Sequence, residues 1–417
     1  MIFRSIKEQY IFYSFPVLLF SLIPFFLITG PFLSDLSISL ISLLFLIYCF
    51  NNKNFTYFKN KFFYFFLIFW CYLILNSLIN NFNLDSLKIS FFYFRYGVFV
   101  IAIASLLEVD DKFVKYFFYC ILICFIALIV DGFYEYFFVN ENISRVSSFF
   151  GEEKILGSYL SRLWPIFFGL SIFVIKKKKK LFFLFILTFI LTEVLVFLSG
   201  ERASFFYLNL SAIFVILFSQ KLLKLRLIIL SSSILLLLII SYLNPLAKER
   251  IFDRTIEQMN LFDENFKLQQ DNKYIFSKEH TEIYKAAFKI FLDNKVLGAG
   301  VKNFRNICQD ERYNTHRDSC SNHPHNTYLQ ILSETGIIGF SFLIFIVFYF
   351  CKYILKHLIL RCKAKYYFND FEICILSGIV IYLWPIVPTG NIFSNWLNIA
   401  MILNIPFLIW SRKLKNL

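Results

Sequence analysis

Several familiar signatures are missing from these 417 residues. There is no P-loop, no G-x-G-x-x-G and no nucleophile elbow, so phosphate-cradling glycine loops and serine-hydrolase chemistry have no sequence basis. No two Asp are separated by one residue, so the acidic cluster of metal-dependent nucleotide-sugar transferases is absent too. A phosphate leaving group would then be stabilised by Arg, Lys and backbone N–H groups. Internal repeats and low-complexity linkers are also missing. The opening MIFRSIKEQY runs into apolar sequence without an A-x-A-type cleavage site, and is expected to be a retained first helix. Charge is scarce at 17%, whereas 58% of the residues are hydrophobic and 21% aromatic, with 58 Phe. No water-soluble fold hides that much apolar surface.

Apolar runs of membrane-spanning length recur, and segments such as LIILSSSILLLLIISYL (227–243) do not alternate, which excludes a β-barrel. The expectation is an all-α integral membrane protein of about twelve transmembrane helices. They fall near 11–29, 32–50, 62–80, 89–107, 114–133, 156–175, 181–198, 203–219, 227–244, 327–350, 372–390 and 395–411. The net charge of +14 would suit nucleic acid, but its placement argues against that partner. Basic residues cluster between spans: Lys53, Lys59 and Lys61; the lysine tract 176–180; Lys221, Lys224 and Arg226; Lys352, Lys356, Arg361, Lys363 and Lys365; Arg412, Lys413 and Lys415. By the positive-inside rule these tracts and both termini are cytoplasmic. Three sections follow: helices one to nine over 1–244, an external loop subdomain over 245–325, and helices ten to twelve over 326–417.

The loop carries thirteen Lys/Arg against twelve Asp/Glu and four of the five His, namely His280, His316, His323 and His325. Loops of this length usually have a function or a fold of their own. Within it, 278–292 sets Ile283, Ala286, Ala287, Ile290 and Phe291 on one helical face. LGAGVKNF (297–304) supplies a glycine turn. In His323-Pro324-His325-Asn326 the proline disfavours helix before it, so the next helix is expected to start at Asn326, a good N-cap. The positive end of that helix favours anions, and a neutral His beside it is a base near neutral pH. The bland alternative is a polar cap at the membrane interface.

A second constellation is Ser199-Gly200-Glu201-Arg202-Ala203-Ser204, a tight turn expected on the same side. Its guanidinium suits phosphate oxygens, although an arginine there can also snorkel or be neutralised by the adjacent Glu. Arg95, Arg162, Glu193 and Glu334 lie inside spans, where ionisable residues are site candidates. Seven of the nine Cys lie in spans or cytoplasmic segments; only Cys308 and Cys320 are in the loop. They suit a disulfide, with free thiols or a Cys320-x-x-His323-x-His325 metal site as the alternatives.

Taken together, these residues resemble bacterial O-antigen ligases and polymerases, a membrane family acting on undecaprenyl-pyrophosphate-linked glycans. The resemblance rests on His325-Asn326 followed by Gly336 and Gly339, on the Ser-Gly-x-Arg-Ala turn, and on Tyr284-x-x-Ala287 through Gly298-x-Gly300-x-x-x-Phe304. It is strong over 277–340, weaker over 145–205, and elsewhere architectural. It implies a GT-C-like fold and an inverting transfer without metal or other cofactor. His325 would deprotonate the acceptor hydroxyl and Arg202 would hold the donor pyrophosphate. Asn326, His323, His280, Lys278 and Arg95 are further candidates for substrate or pyrophosphate contact. Many relatives carry a second arginine where this chain reads Lys278-Glu279-His280, so His280, Lys278 or another loop cation takes over, or the contact is absent.

The implied partners are an undecaprenyl-pyrophosphate-linked oligosaccharide donor, a glycan or lipid A-core acceptor, and membrane lipids. The implied location is the bacterial inner membrane, with the site facing the periplasm. The motifs do not separate a ligase from a repeat-unit polymerase or a protein O-oligosaccharyltransferase. A flippase or secondary transporter is the rival of a different class, although the missing repeats speak against it.

Overall fold

The computed structural model describes residues 10–80, 84–139, 145–175, 179–220, 223–260, 274 and 277–414. Expectations about residues 1–9, the side chains of the lysine tract 176–180, those of Lys221, Lys224 and Arg226, and Lys415 lie outside the described residues. Among the described residues there is no strand. The principal helices are α1 (Tyr10–Phe26), α2 (Pro31–Asn51), α3 (Lys61–Ile79), α4 (Leu84–Phe92), α5 (Phe94–Val109), α6 (Val114–Tyr134), α7 (Leu156–Val174) and α8 (Lys179–Leu198). They continue as α9 (Arg202–Phe218), α10 (Leu223–Leu243), α11 (Lys278–Asp293), α12 (Thr327–Arg361), α13 (Asp370–Tyr382), α14 (Asn395–Ile402) and α15 (Asn404–Leu414).

Local chemistry sets the helix starts. Asn60 caps α3, Pro31 occupies the first turn of α2, Ser394 caps α14, and Asn369 with Glu372 forms a reciprocal capping box on α13. Among the described residues, five helical stretches are long and apolar enough to cross a membrane: Pro31–Asn51, Lys61–Ile79, Leu84–Val109, Asp111–Val139 and Thr327–Arg361. A sixth counts if Leu230–Tyr242 and Pro245–Gln258, bent by 112°, are taken as one span; Ile11–Phe26, Phe182–Leu198 and Arg202–Phe218 are shorter apolar helices. Aromatic side chains interlock in the core, with Phe20 stacked on Phe117 at 4.5 Å and edge-on to Phe113 at 5.8 Å. Outward-facing Phe32, Phe138, Tyr242 and Phe348 are each more than two-thirds exposed. Water does not tolerate such a surface, but hydrocarbon does. The chain is a helical membrane protein.

Some expected boundaries are corrected. The span placed at 372–390 ends as a helix at Tyr382. Pro385 disfavours helical backbone at Trp384, and Pro388 and Gly390 keep the following chain irregular up to Ser394. The span at 395–411 is two helices meeting at Leu403, and the one at 327–350 continues to Arg361. The 245–325 section, expected to be a partly helical loop, has helical turns from Pro245 to Gln258.

Candidate active site where the large loop meets the helix bundle

The turn joining α8 to α9 turns sharply because Gly200 has φ +65°, and its close neighbours are the side chains of Arg250 and Arg145. Arg145 Nε donates to the Ser199 carbonyl at 3.1 Å and Arg250 Nε to the Gly200 carbonyl at 3.2 Å. Glu201 does not neutralise Arg202. Its carboxylate accepts from the backbone N–H of Gly157 (2.6 Å) and Ser158 (3.1 Å) and from the hydroxyls of Ser158 (2.7 Å) and Ser204 (2.9 Å). It thereby satisfies the otherwise orphaned first N–H groups of α7. Arg202 is left to donate from Nη1 to Gln258 Oε1 at 2.7 Å and Thr255 Oγ1 at 3.4 Å, both neutral acceptors.

On the other wall, Asn326 is the N-cap of α12: its Oδ1 accepts from Tyr328 N at 2.9 Å and Leu329 N at 3.1 Å. Its Nδ2 donates to the Pro385 carbonyl at 2.7 Å. His325 sits in the left-handed region with φ +53°, an uncommon conformation for a residue with a Cβ, and its carbonyl accepts from Thr389 N at 2.8 Å. His323 Nε2 faces the Thr389 carbonyl at 3.3 Å; a carbonyl only accepts, so that nitrogen carries the proton. The His323 and His325 ring centroids are 4.1 Å apart, and His280 on α11 meets His325 at 5.6 Å. The ring nitrogens of His325 have no hydrogen-bond partner among the described residues.

Burial first, and then the neighbouring His325, push His323 down to about 4. His280 is likewise pushed to about 4 by burial, His325 and the Arg202 charge. Burial alone holds His325 below the ordinary histidine value. All three imidazoles are therefore neutral near pH 7. His280 connects the two constellations: its ring meets the His325 ring, and it lies within electrostatic reach of the Arg202 guanidinium.

Other candidates fall elsewhere. Lys278 is exposed on the first turn of α11, and Ser277 caps that helix, with its hydroxyl 2.8 Å from His280 Nδ1. Arg95 is taken up by the Asp35 carboxylate at 2.7 Å and by Tyr96 and Asn395, so its described contacts are not with the histidines or Arg202. Glu334 is fully buried and accepts from Lys302 N, Phe304 N and Gln330 Nε2 at 3.0–3.1 Å, so it anchors the glycine turn. The turn lies against a kink in α12 at Gly336, which has φ +61°. Ala299 N and Gly300 N donate to the carbonyls of Ser333 and Glu334 at 2.9 Å. A Cβ on Gly298 or on Gly336 would collide with the opposing backbone, so both glycines are required by two chains crossing. Cys308 is disulfide-bonded to Cys320, which removes Cys320 from any metal set. No group of three or more His, Cys, Asp and Glu that could hold a metal ion occurs among the described residues.

The segment 383–394 had no role in the sequence reading, yet much of the site is tied to it. Its carbonyls accept from Tyr328 (Leu383, 2.5 Å), Asn326 (Pro385) and Tyr207 (Val387, 3.3 Å), and Thr389 bonds both His323 and His325. The available signal was Trp384-Pro385 with Pro388 and Gly390, breakers inside an apolar run.

The fold and the site thus define a polytopic helical membrane protein with neutral imidazoles and, among the described residues, an arginine without a salt bridge at one end of its bundle. Residues 183–344 match the family described as O-antigen ligase, so the resemblance drawn from the motifs is borne out over that stretch. The matched range includes Arg202, His280, His323, His325 and Asn326 but neither Arg162 nor the 383–394 strap. No curated protein matches the chain.

Proposed function

We propose that the chain is a glycosyltransferase of the O-antigen ligase type, moving a glycan from a lipid-linked diphosphate to an acceptor hydroxyl without metal. The observation that supports this most directly is that His280 meets the free His325 imidazole and lies within electrostatic reach of the Arg202 guanidinium. His325 takes the acceptor's hydroxyl proton as that oxygen attacks the anomeric carbon. The bond from that carbon to the phosphate oxygen breaks, and the diphosphate leaves with the electron pair, stabilised by Arg202. Attack opposite to departure inverts the anomeric centre. General-base help of this kind is worth ~10²–10⁴ in rate, and a water-poor pocket strengthens the arginine–phosphate contact.

In this reading the chain has twelve spans and cytoplasmic termini, and it presents residues 245–325 and the pocket to the periplasm. Lipid A-core is the acceptor. The test is complementation of a deletion strain with His325→Gln and Arg202→Gln, read by gel analysis of lipopolysaccharide at matched protein abundance. Loss of glycan extension in both is expected. A core-only pattern with free lipid-linked polymer identifies a ligase, whereas one repeat unit on the core identifies a polymerase. Full extension with either variant overturns the mechanism.

A further inference from the structure

Arg162 lies on α7, one turn beyond Ser158 and therefore deeper in the bundle than the α7 terminus that Glu201 caps. It is 5% exposed. Its guanidinium lies against the rings of Tyr207 (5.3 Å) and Tyr382 (5.6 Å), and among the described residues its one hydrogen bond is a long contact from Nη1 to the Ser158 carbonyl at 3.4 Å. No carboxylate pairs with it among the described residues. Beside it, the buried Tyr382 hydroxyl has no hydrogen-bond partner among the described residues. Tyr207 donates its own hydroxyl to the 383–394 strap, which also carries His325 through Thr389. The position is therefore tied, through Tyr207 and that strap, to the segment that holds His325.

A buried guanidinium has lost its hydration, and contacts with two tyrosine faces return only part of that loss. The charge is permanent, so the residue cannot relieve the cost by releasing a proton. Stability alone gives no reason to keep such a group, whereas an anionic ligand would complete its coordination. We propose that Arg162, with the Tyr382 hydroxyl, is an oxyanion-binding position tied to the segment that holds His325. The oxyanion is either a phosphate of the lipid diphosphate or a carboxylate of an acidic sugar in its glycan. That choice of ligand rests on the function proposed above; the binding position itself does not.

The test uses the full chain in lipid nanodiscs, with geranylgeranyl diphosphate and trigalacturonate as probes and neutral geranylgeraniol as control. Arg162→Met is expected to weaken one anionic probe at least tenfold and leave the control unchanged, with Arg162→Lys in between. Loss of the diphosphate identifies the phosphate source, and loss of trigalacturonate identifies the sugar. Because it removes an uncompensated charge, Arg162→Met should also raise the thermal midpoint of the ligand-free protein. Tyr382→Phe, which preserves packing, should weaken the same probe several-fold. Unchanged binding of both anionic probes overturns the proposal. So does weakened binding together with a lowered ligand-free midpoint, which marks a purely structural arginine. His325→Gln is expected to keep probe binding; if that variant transferred glycan normally, the transferase reading would fail while this result stood.

Discussion

Protonation state decides what the pocket does at the level of single residues. An imidazole acts as a base only while neutral, and burial keeps His325 neutral to lower pH than a free histidine. The acid limb of kcat/KM should therefore lie below the ordinary value of about 6.5, with a plateau above it. The same burial couples to stability. His280 and His323 hold their protons at about 4 in the folded chain but at about 6.5 when unfolded, so unfolding takes up protons in between. Stability is then fully present above that window and falls as the pH drops through it. A thermal-midpoint series in detergent from neutral to mildly acid pH should show this decline, and His280→Gln or His323→Asn should flatten it. A wild-type profile flat across the window would mean that the imidazoles are solvated.

Between elements, the working parts are carboxylates and carbonyls that hold helix ends in register. Glu201 spans from the α8–α9 turn to the start of α7 and accepts four hydrogen bonds. Glu201→Gln puts an amide N–H₂ where donors converge, so a loss of roughly 1–2 kcal/mol is expected, as for a removed helix cap. Chemical unfolding in mixed micelles measures it; a variant as stable as wild type would show that the cap is redundant. At this scale sequence and structure diverge in an instructive way. Asn326 as the start of α12, the apolar face of α11 and the turn before Arg202 were all legible, because caps, 3.6-residue periodicity and glycine turns are local signals. The main partners of Glu201 were not legible: adjacency to Arg202 suggested an ion pair, while three of its four hydrogen bonds come from Gly157 and Ser158, more than forty residues away in sequence. The strap after Tyr382 was missed because an apolar run carrying two prolines still reads as a span to hydropathy. Gly298 and Gly336 carry part of the family resemblance, yet their reason is the crossing of two backbones, which no single-chain pattern shows.

Taken whole, the molecule is polarised. The histidines, the arginine turn, the disulfide and α11 are tied to one end of the bundle, since α12 runs from Asn326 at that end to the basic residues Lys352, Lys356 and Arg361 at the other. Beyond the kink at Gly336, the stretch from Ile337 to Arg361 extends for about 37 Å at 1.5 Å per residue, more than the ~30 Å of hydrocarbon, so α12 is long enough to carry its two ends to opposite faces of a membrane. The proposed orientation turns this into a labelling experiment with a built-in control. Cys362 is exposed just past the basic end of α12, and Lys278 is exposed at the start of α11 beside the histidine pocket. In spheroplasts, a membrane-impermeant maleimide should modify Lys278→Cys directly and reach Cys362 only after permeabilisation. The basic tracts argue for this direction, because translocating them across the membrane is disfavoured. If Cys362 reacted in sealed spheroplasts and Lys278→Cys did not, the pocket would face the cytoplasm. A donor displayed at the outer leaflet could then not reach His325, whatever the local chemistry of the imidazole.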